Sequence, residues 1–178
     1  MKMTPAVQRF VDHWGEMGPK WGVSRSVAQV HALLYLAPEP LPAETIAEAL
    51  GIARSNVSMS LKELQGWRII RTTRVRGDRK DHFASVQDVW ELFRVVLDER
   101  KKRELDPTIA VLQECLELST AAGADPKKDV STVRVRAMLA FFEAGEAWYG
   151  HVRALPIAAL KVFFKTGAKL RGWLGRAS

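Results

Sequence analysis

The stretch LPAETIAEALGIARSNVSMSLKELQGWRIIRTTRVRGDRKDHF, residues 41–83, decides how this chain is read. AETIAEAL predicts a short helix stopped by Gly51, and a second helix follows from about Arg54 to Gly66. Residues 69–75 (IIRTTRV) and 82–86 (HFASV) read as two strands, joined by the turn-rich basic segment RGDRKD. Ala43, Ala47, Ala49 and Gly51 are small enough to let the two helices cross closely. In the second helix Val57, Leu61 and Leu64 share one face, whereas Arg54, Ser55, Asn56, Ser58, Met59 and Lys62 lie largely elsewhere. Such a helix buries one side and keeps short polar groups on the other. Asn can read adenine through two hydrogen bonds, and Ser serves bases or phosphates.

Charge follows the same pattern. The chain has 178 residues, with 27 Lys+Arg against 20 Asp+Glu, a net +7. Between Arg54 and Lys80 lie eight basic residues opposed only by Glu63 and Asp78, a local +6. Arg74, Arg76, Arg79 and Lys80 gather around the turn at Gly77-Asp78, where a hairpin presents cations to a polyanionic backbone. A second basic region, residues 151–178, carries six cations and no acid, which leaves the rest of the chain at −5. Helix, turn, helix and basic hairpin in this order are the plan of a winged helix-turn-helix. The expected fold is mainly α with a small β-hairpin.

Outward from this segment the pattern is helical. PAVQRFVDHWGEM (5–17) has Val7, Phe10, Val11 and Trp14 in helical phase and is broken by Gly18-Pro19. Ser24 reads as the N-cap of a helix through Leu36 with Val27, Val30, Leu33 and Leu34 on one face, and APEPLP (37–42) as a Pro-rich turn. Downstream, a helix runs from Val89 to about Lys102, and Pro107 is expected to start another. A long helix over about 129–149 follows, with Val130, Val133, Ala137, Met138, Phe141 and Trp148 in phase, and a last one over about 156–174. The expected domains are an N-terminal packing or dimerisation helix (1–23), a winged helix-turn-helix (24–86) and a helical dimerisation or effector region (87–178).

The early Trp14-Gly15, Leu34-Tyr35-Leu36 before the turn, Asn56-Val57-Ser58 in the second helix and Gly77-Asp78-Arg79-Lys80 at the hairpin occur in an ordered combination. In it the chain resembles the GbsR branch of the MarR-type transcriptional regulators, over about residues 5–105. The resemblance implies a cytoplasmic, homodimeric regulator of double-stranded DNA, a repressor, with helical dimerisation elements flanking the winged domain. It also implies a small-molecule effector, which in some relatives is choline. Arg54, Ser55, Asn56, Ser58 and Lys62 are then the recognition-helix contacts, and Arg74, Arg76, Arg79 and Lys80 those of the wing. In such sequences a Ser commonly starts the recognition helix. Here the position is Ala53, which has no capping oxygen and leaves the first amides to Ser55 or to a phosphate.

Other features point elsewhere or nowhere. Trp14, Trp21, Trp148 and Tyr149 are candidates for an aromatic effector cage, since cations bind over ring faces; core or dimer packing is the plainer use of such side chains. The lone Cys115 makes no internal disulfide and sits near Glu114 and Glu117, which disfavours a reactive thiolate, so a structural role is expected. His13, His31, His82 and His151 are too dispersed for a zinc site. No metalloprotease, nucleophile-elbow, dinucleotide or phosphate-loop motif is present, so neither an enzyme nor a cofactor is expected. No apolar run reaches a membrane-spanning length, and the first fifteen residues do not read as a signal peptide. The final stretch combines Lys161, Lys165 and Lys169 with Leu160, Phe163, Phe164, Leu170, Trp173 and Leu174. That basic amphipathic helix fits subunit packing. It also leaves open an alternative class, a peripheral membrane or protein-interaction module.

Overall fold

Local caps fix where the first helices begin. Thr4 Oγ1 accepts from the Val7 amide at 3.3 Å and Pro5 occupies the first turn of α1, Pro5–Met17. Ser24 Oγ accepts from the Val27 amide at 3.2 Å and opens α2, Arg25–Leu36. In this computed structural model, residues 2–123, 125 and 127–174 are described, with side chains through Thr166. The chain continues through β1 (Leu41–Pro42), α3 (Ala43–Leu50), α4 (Arg54–Gly66), β2 (Ile70–Arg74), β3 (Asp81–Ser85) and α5 (Val89–Arg100). It ends in α6 (Asp106–Ala121), α7 (Val130–Ala154) and α8 (Ile157–Leu174). The architecture is mainly helical with one small antiparallel sheet, as expected.

Two units divide the chain, Met1–Val95 and Val96–Ser178. In the first, α2 is the central element. The sequence assigned it one apolar face, but Val27 to Leu34 are buried without interruption, Gln29 and His31 included. Val11 of α1, Ile46 of α3, Val57, Leu61 and Leu64 of α4, and Ile69 and Ile70 complete the core. The sheet has the order β1-β3-β2, so the segment read as a Pro-rich turn supplies a third strand, Leu41 opposite Phe83 and Pro42 opposite His82. A two-residue strand carries no alternation to detect, and Pro is tolerated there because the strand lies at the sheet edge.

His31 lies inside this core, with Nε2 3.3 Å from Ser85 Oγ. Burial pushes its pKa down from 6.5 to about 4. The unfolded chain therefore binds a proton between about pH 6.5 and 4 that the folded chain refuses. Stability from this group is fully present above pH 6.5 and is lost as pH falls through that window. The expected loss is about 2 kcal/mol at pH 5 relative to pH 7.5. Urea denaturation at both values checks it, and a His31→Gln variant should lose that part of the pH dependence.

In the second unit, the break expected between Lys102 and Pro107 is absent. Lys101–Leu105 wind as a π-helical turn joining α5 to α6, closed by the Asp106 amide donating to the Lys101 carbonyl. Pro107 has no amide to donate, and the widened turn absorbs it without ending the helix. Asp129 caps α7, accepting from the Thr132 amide at 2.7 Å and from Ser131 Oγ, and these bonds hold its carboxyl at about 2. α7 runs five residues past the expected end, to Ala154, and extended Leu155 before Pro156 stops it. Thr132, Val135, Leu139, Phe142, Glu146, Tyr149 and Val152 form its covered stripe, every one buried or half-buried. Tyr149 donates to Asp98, Arg153 Nε pairs with Asp98 at 2.9 Å, and Lys101 pairs with Glu146 at 2.8 Å. Burial and then Asp98 push the Tyr149 hydroxyl up to about 12.

Candidate nucleic-acid interface

The recognition segment is positioned by its buried side. Gly51 stops α3 with φ +62, a left-handed conformation, and α4 starts three residues later. Val57, Ser60, Leu61 and Leu64 point into the core, while Arg54, Ser55, Asn56, Ser58, Met59 and Lys62 are all exposed. At about 100° per residue, Ser55, Ser58, Met59 and Lys62 share the outward face; Asn56 and Arg54 lie on opposite flanks. Met59, 70 % exposed, lies toward one edge of that face and was not among the sequence-derived contacts. An apolar side chain there fits a thymine methyl. The sequence already places it off the buried face. Gln65 Nε2 donates to Thr72 Oγ1 at 2.7 Å and ties the end of α4 to β2.

Ala53 stands at the N-cap of α4 with no side-chain hydrogen bond, and Ser55 does not take its place. Arg54 is not free, however. Its Nη2 lies 2.8 Å from Glu44 Oε1 in the first turn of α3.

The wing is fastened at its tip. Gly77 adopts φ +88, and the Asp78 amide donates to the Val75 carbonyl at 3.1 Å. Asp78 accepts from the Lys80 amide at 2.9 Å and lies 3.5 Å from His82 Nε2. Arg74, Arg76, Arg79 and Lys80 are all exposed around this turn, with Arg74 opposite Asp81 in the ladder. The recognition helix and the basic hairpin thus sit in one unit with one core.

That geometry has relatives. Residues 21–81 match the model of the MarR family. Over these residues the chain is similar to the MarR-family winged helix-turn-helix. MarR-type proteins are DNA-binding transcriptional regulators, not enzymes. Over 88 residues the chain is 24 % identical to YvaV of Bacillus subtilis (strain 168), provisionally classed as an HTH-type transcriptional regulator. The match covers 49 % of this chain and 50 % of YvaV, so it spans about half the length of that curated relative. A solved structure of a transcriptional regulator is similar in fold, with a TM-score of 0.58 and 21 % identity over 84 % of this chain and 96 % of the other.

The remaining sequence-derived candidates lie away from the outward face of α4 and the hairpin, or in the other unit. Trp14 stacks on Phe10 with centroids 4.5 Å apart and meets Trp21 edge-on at 5.3 Å. Trp148 and Tyr149 belong to the second unit and point to different faces of α7, Trp148 outward and Tyr149 toward Asp98. Cys115 is free and half-buried on α6. Among the described residues, no cluster of three His, Cys, Asp or Glu could hold a metal, and no helix is long and apolar enough to cross a membrane. Of the basic C-terminal stripe, Lys161 is half-buried and Lys165 exposed, and Leu160 is fully buried. The side chains of Lys169, Leu170, Trp173 and Leu174 lie outside the described residues.

Proposed function

We propose that this protein is a cytoplasmic, homodimeric repressor that reads a pseudo-palindromic operator. The observation that carries the reading is the α4 surface: a helix anchored by Val57, Leu61 and Leu64 that turns Ser55, Ser58, Met59 and Lys62 outward beside a wing of four exposed cations. Two such helices fit successive major grooves about 34–36 Å apart. Ser55, Asn56 and Ser58 read bases or phosphates, Lys62 and Arg54 flank them at phosphates, and Arg74, Arg76, Arg79 and Lys80 hold the wing to the backbone.

Dimerisation is supported by α7. Opposite its covered stripe, Val130, Val133, Ala137, Phe141, Ala144 and Trp148 form a second apolar stripe, with Phe141 70 % and Trp148 58 % exposed. A helix apolar on two faces needs two partners, and the second copy of the chain supplies the other.

Selection of bound fragments from a random duplex library yields the operator. On variants of that operator, Asn56→Ala should shift relative affinities by about 1–3 kcal/mol, as expected for a paired base contact. A uniform change across every duplex would remove Asn56 from the reading role. A second reading, a module on anionic membranes, draws on Phe163 and Phe164, both about half exposed on α8 near Lys161 and Lys165. Sedimentation with anionic vesicles, with no shift of duplex DNA, would favour it over repression.

A further inference from the structure

An acid at the start of α3 is not used by the contact scheme. Glu44 lies in the first turn of α3 and reaches across to the first residue of α4, its Oε1 2.8 Å from Arg54 Nη2. Pro42 pairs with His82, which brings the start of α3 alongside the base of the wing. Glu44 therefore feels Lys80 as well as Arg54, with Asp78 opposing them. Its carboxyl is held below the usual range first by its own backbone amide and then, against some desolvation, by these two cations. Glu44 is partly exposed and paired with one of the cations assigned to phosphates.

We infer that Glu44 is a built-in competitor for phosphate: its carboxylate holds Arg54 in the free protein, and DNA must displace it. The inference rests on the DNA-binding reading above and adds a residue that tunes it. An anion fixed beside the phosphate track lowers affinity for all duplexes alike, because it opposes backbone contacts and not base contacts. It also flattens the salt dependence, since an arginine already neutralised by a carboxylate displaces fewer counterions when it reaches a phosphate. Sequence preference, carried by the outward face of α4, is left in place.

The test is Glu44→Gln, which keeps the shape and one acceptor for Arg54 while removing the charge. Binding of a fluorescent random-sequence duplex of about three helical turns is measured by anisotropy at several salt concentrations. The expected result is about two- to fivefold tighter binding at low salt and a salt slope steeper by up to about one. Glu16→Gln, an exposed acid on α1, makes the same change in net charge and should give a smaller gain. In an Arg54→Gln background most of the Glu44→Gln gain should disappear. Equal gains from Glu16→Gln and Glu44→Gln, an undiminished gain without Arg54, or weaker binding by Glu44→Gln each overturn the inference. If the unmodified protein binds no duplex at all, the DNA-binding reading itself falls.

Discussion

Replacing Phe141 and Trp148 together by glutamate is expected to turn the protein into a monomer in solution. The two rings expose about 300 Å² per protomer, equivalent to roughly 7 kcal/mol of gross hydrophobic driving force on burial. Much of that is offset by lost freedom on association. A two-fold interface repeats each change, so the double substitution removes this area from both protomers and sets four like charges into one apolar contact. Both side chains point away from the covered stripe of α7, so the fold of the unit should survive. Light scattering at micromolar concentration reads the mass, and far-ultraviolet circular dichroism reads the helix content. Affinity for a two-half-site operator should then fall by about 10²–10⁴-fold, because each domain binds its half-site alone. A variant that remains dimeric would place the interface elsewhere.

The second large effect belongs to the wing. With Arg76, Arg79 and Lys80 all changed to alanine, the slope of log affinity against log salt should become shallower by about 0.9 per lost phosphate contact. That is about 2.7 for one protomer and about twice that for a dimer. All three side chains are exposed. The hairpin itself is held by Gly77, by the Asp78–Val75 backbone bond and by the Asp78 carboxylate on the Lys80 amide, so it should persist. Discrimination among operator variants should stay as it was while affinity for every duplex falls. A change in discrimination would show that the wing reads sequence, by minor-groove shape or by base contact.

Much of the fold was legible because its signals are local. Gly51, the phase of Val57, Leu61 and Leu64, and the turn at Gly77-Asp78 each act within a few residues of themselves, and the bounds of α3 and α4 followed from them. Where the sequence misled, a distant partner decided. β1 exists because β3, some forty residues on, offers it a ladder. α2 looked one-sided from its aliphatic spacing, yet neighbours from both directions along the chain cover Gln29 and His31 as well. Pro107 does stand in the first turn of α6, as read, but the π turn at Lys101–Leu105 leaves no gap before it.

The candidate interface divides the same way. Ser55, Ser58 and Lys62 could be placed on one face from helical spacing alone, and the wing cations from their run around a glycine. The loss of Arg54's freedom to Glu44 could not, nor that the apolar stripe of α7 through Phe141 and Trp148 is left uncovered. The sequence by itself determined a basic helix-turn-helix with a basic hairpin, because periodicity, caps and turn residues act over a few bonds. The tertiary structure alone decided which side of each helix is covered and which cation already has a counter-ion, because burial and ion pairing depend on side chains that the chain brings together from separate elements.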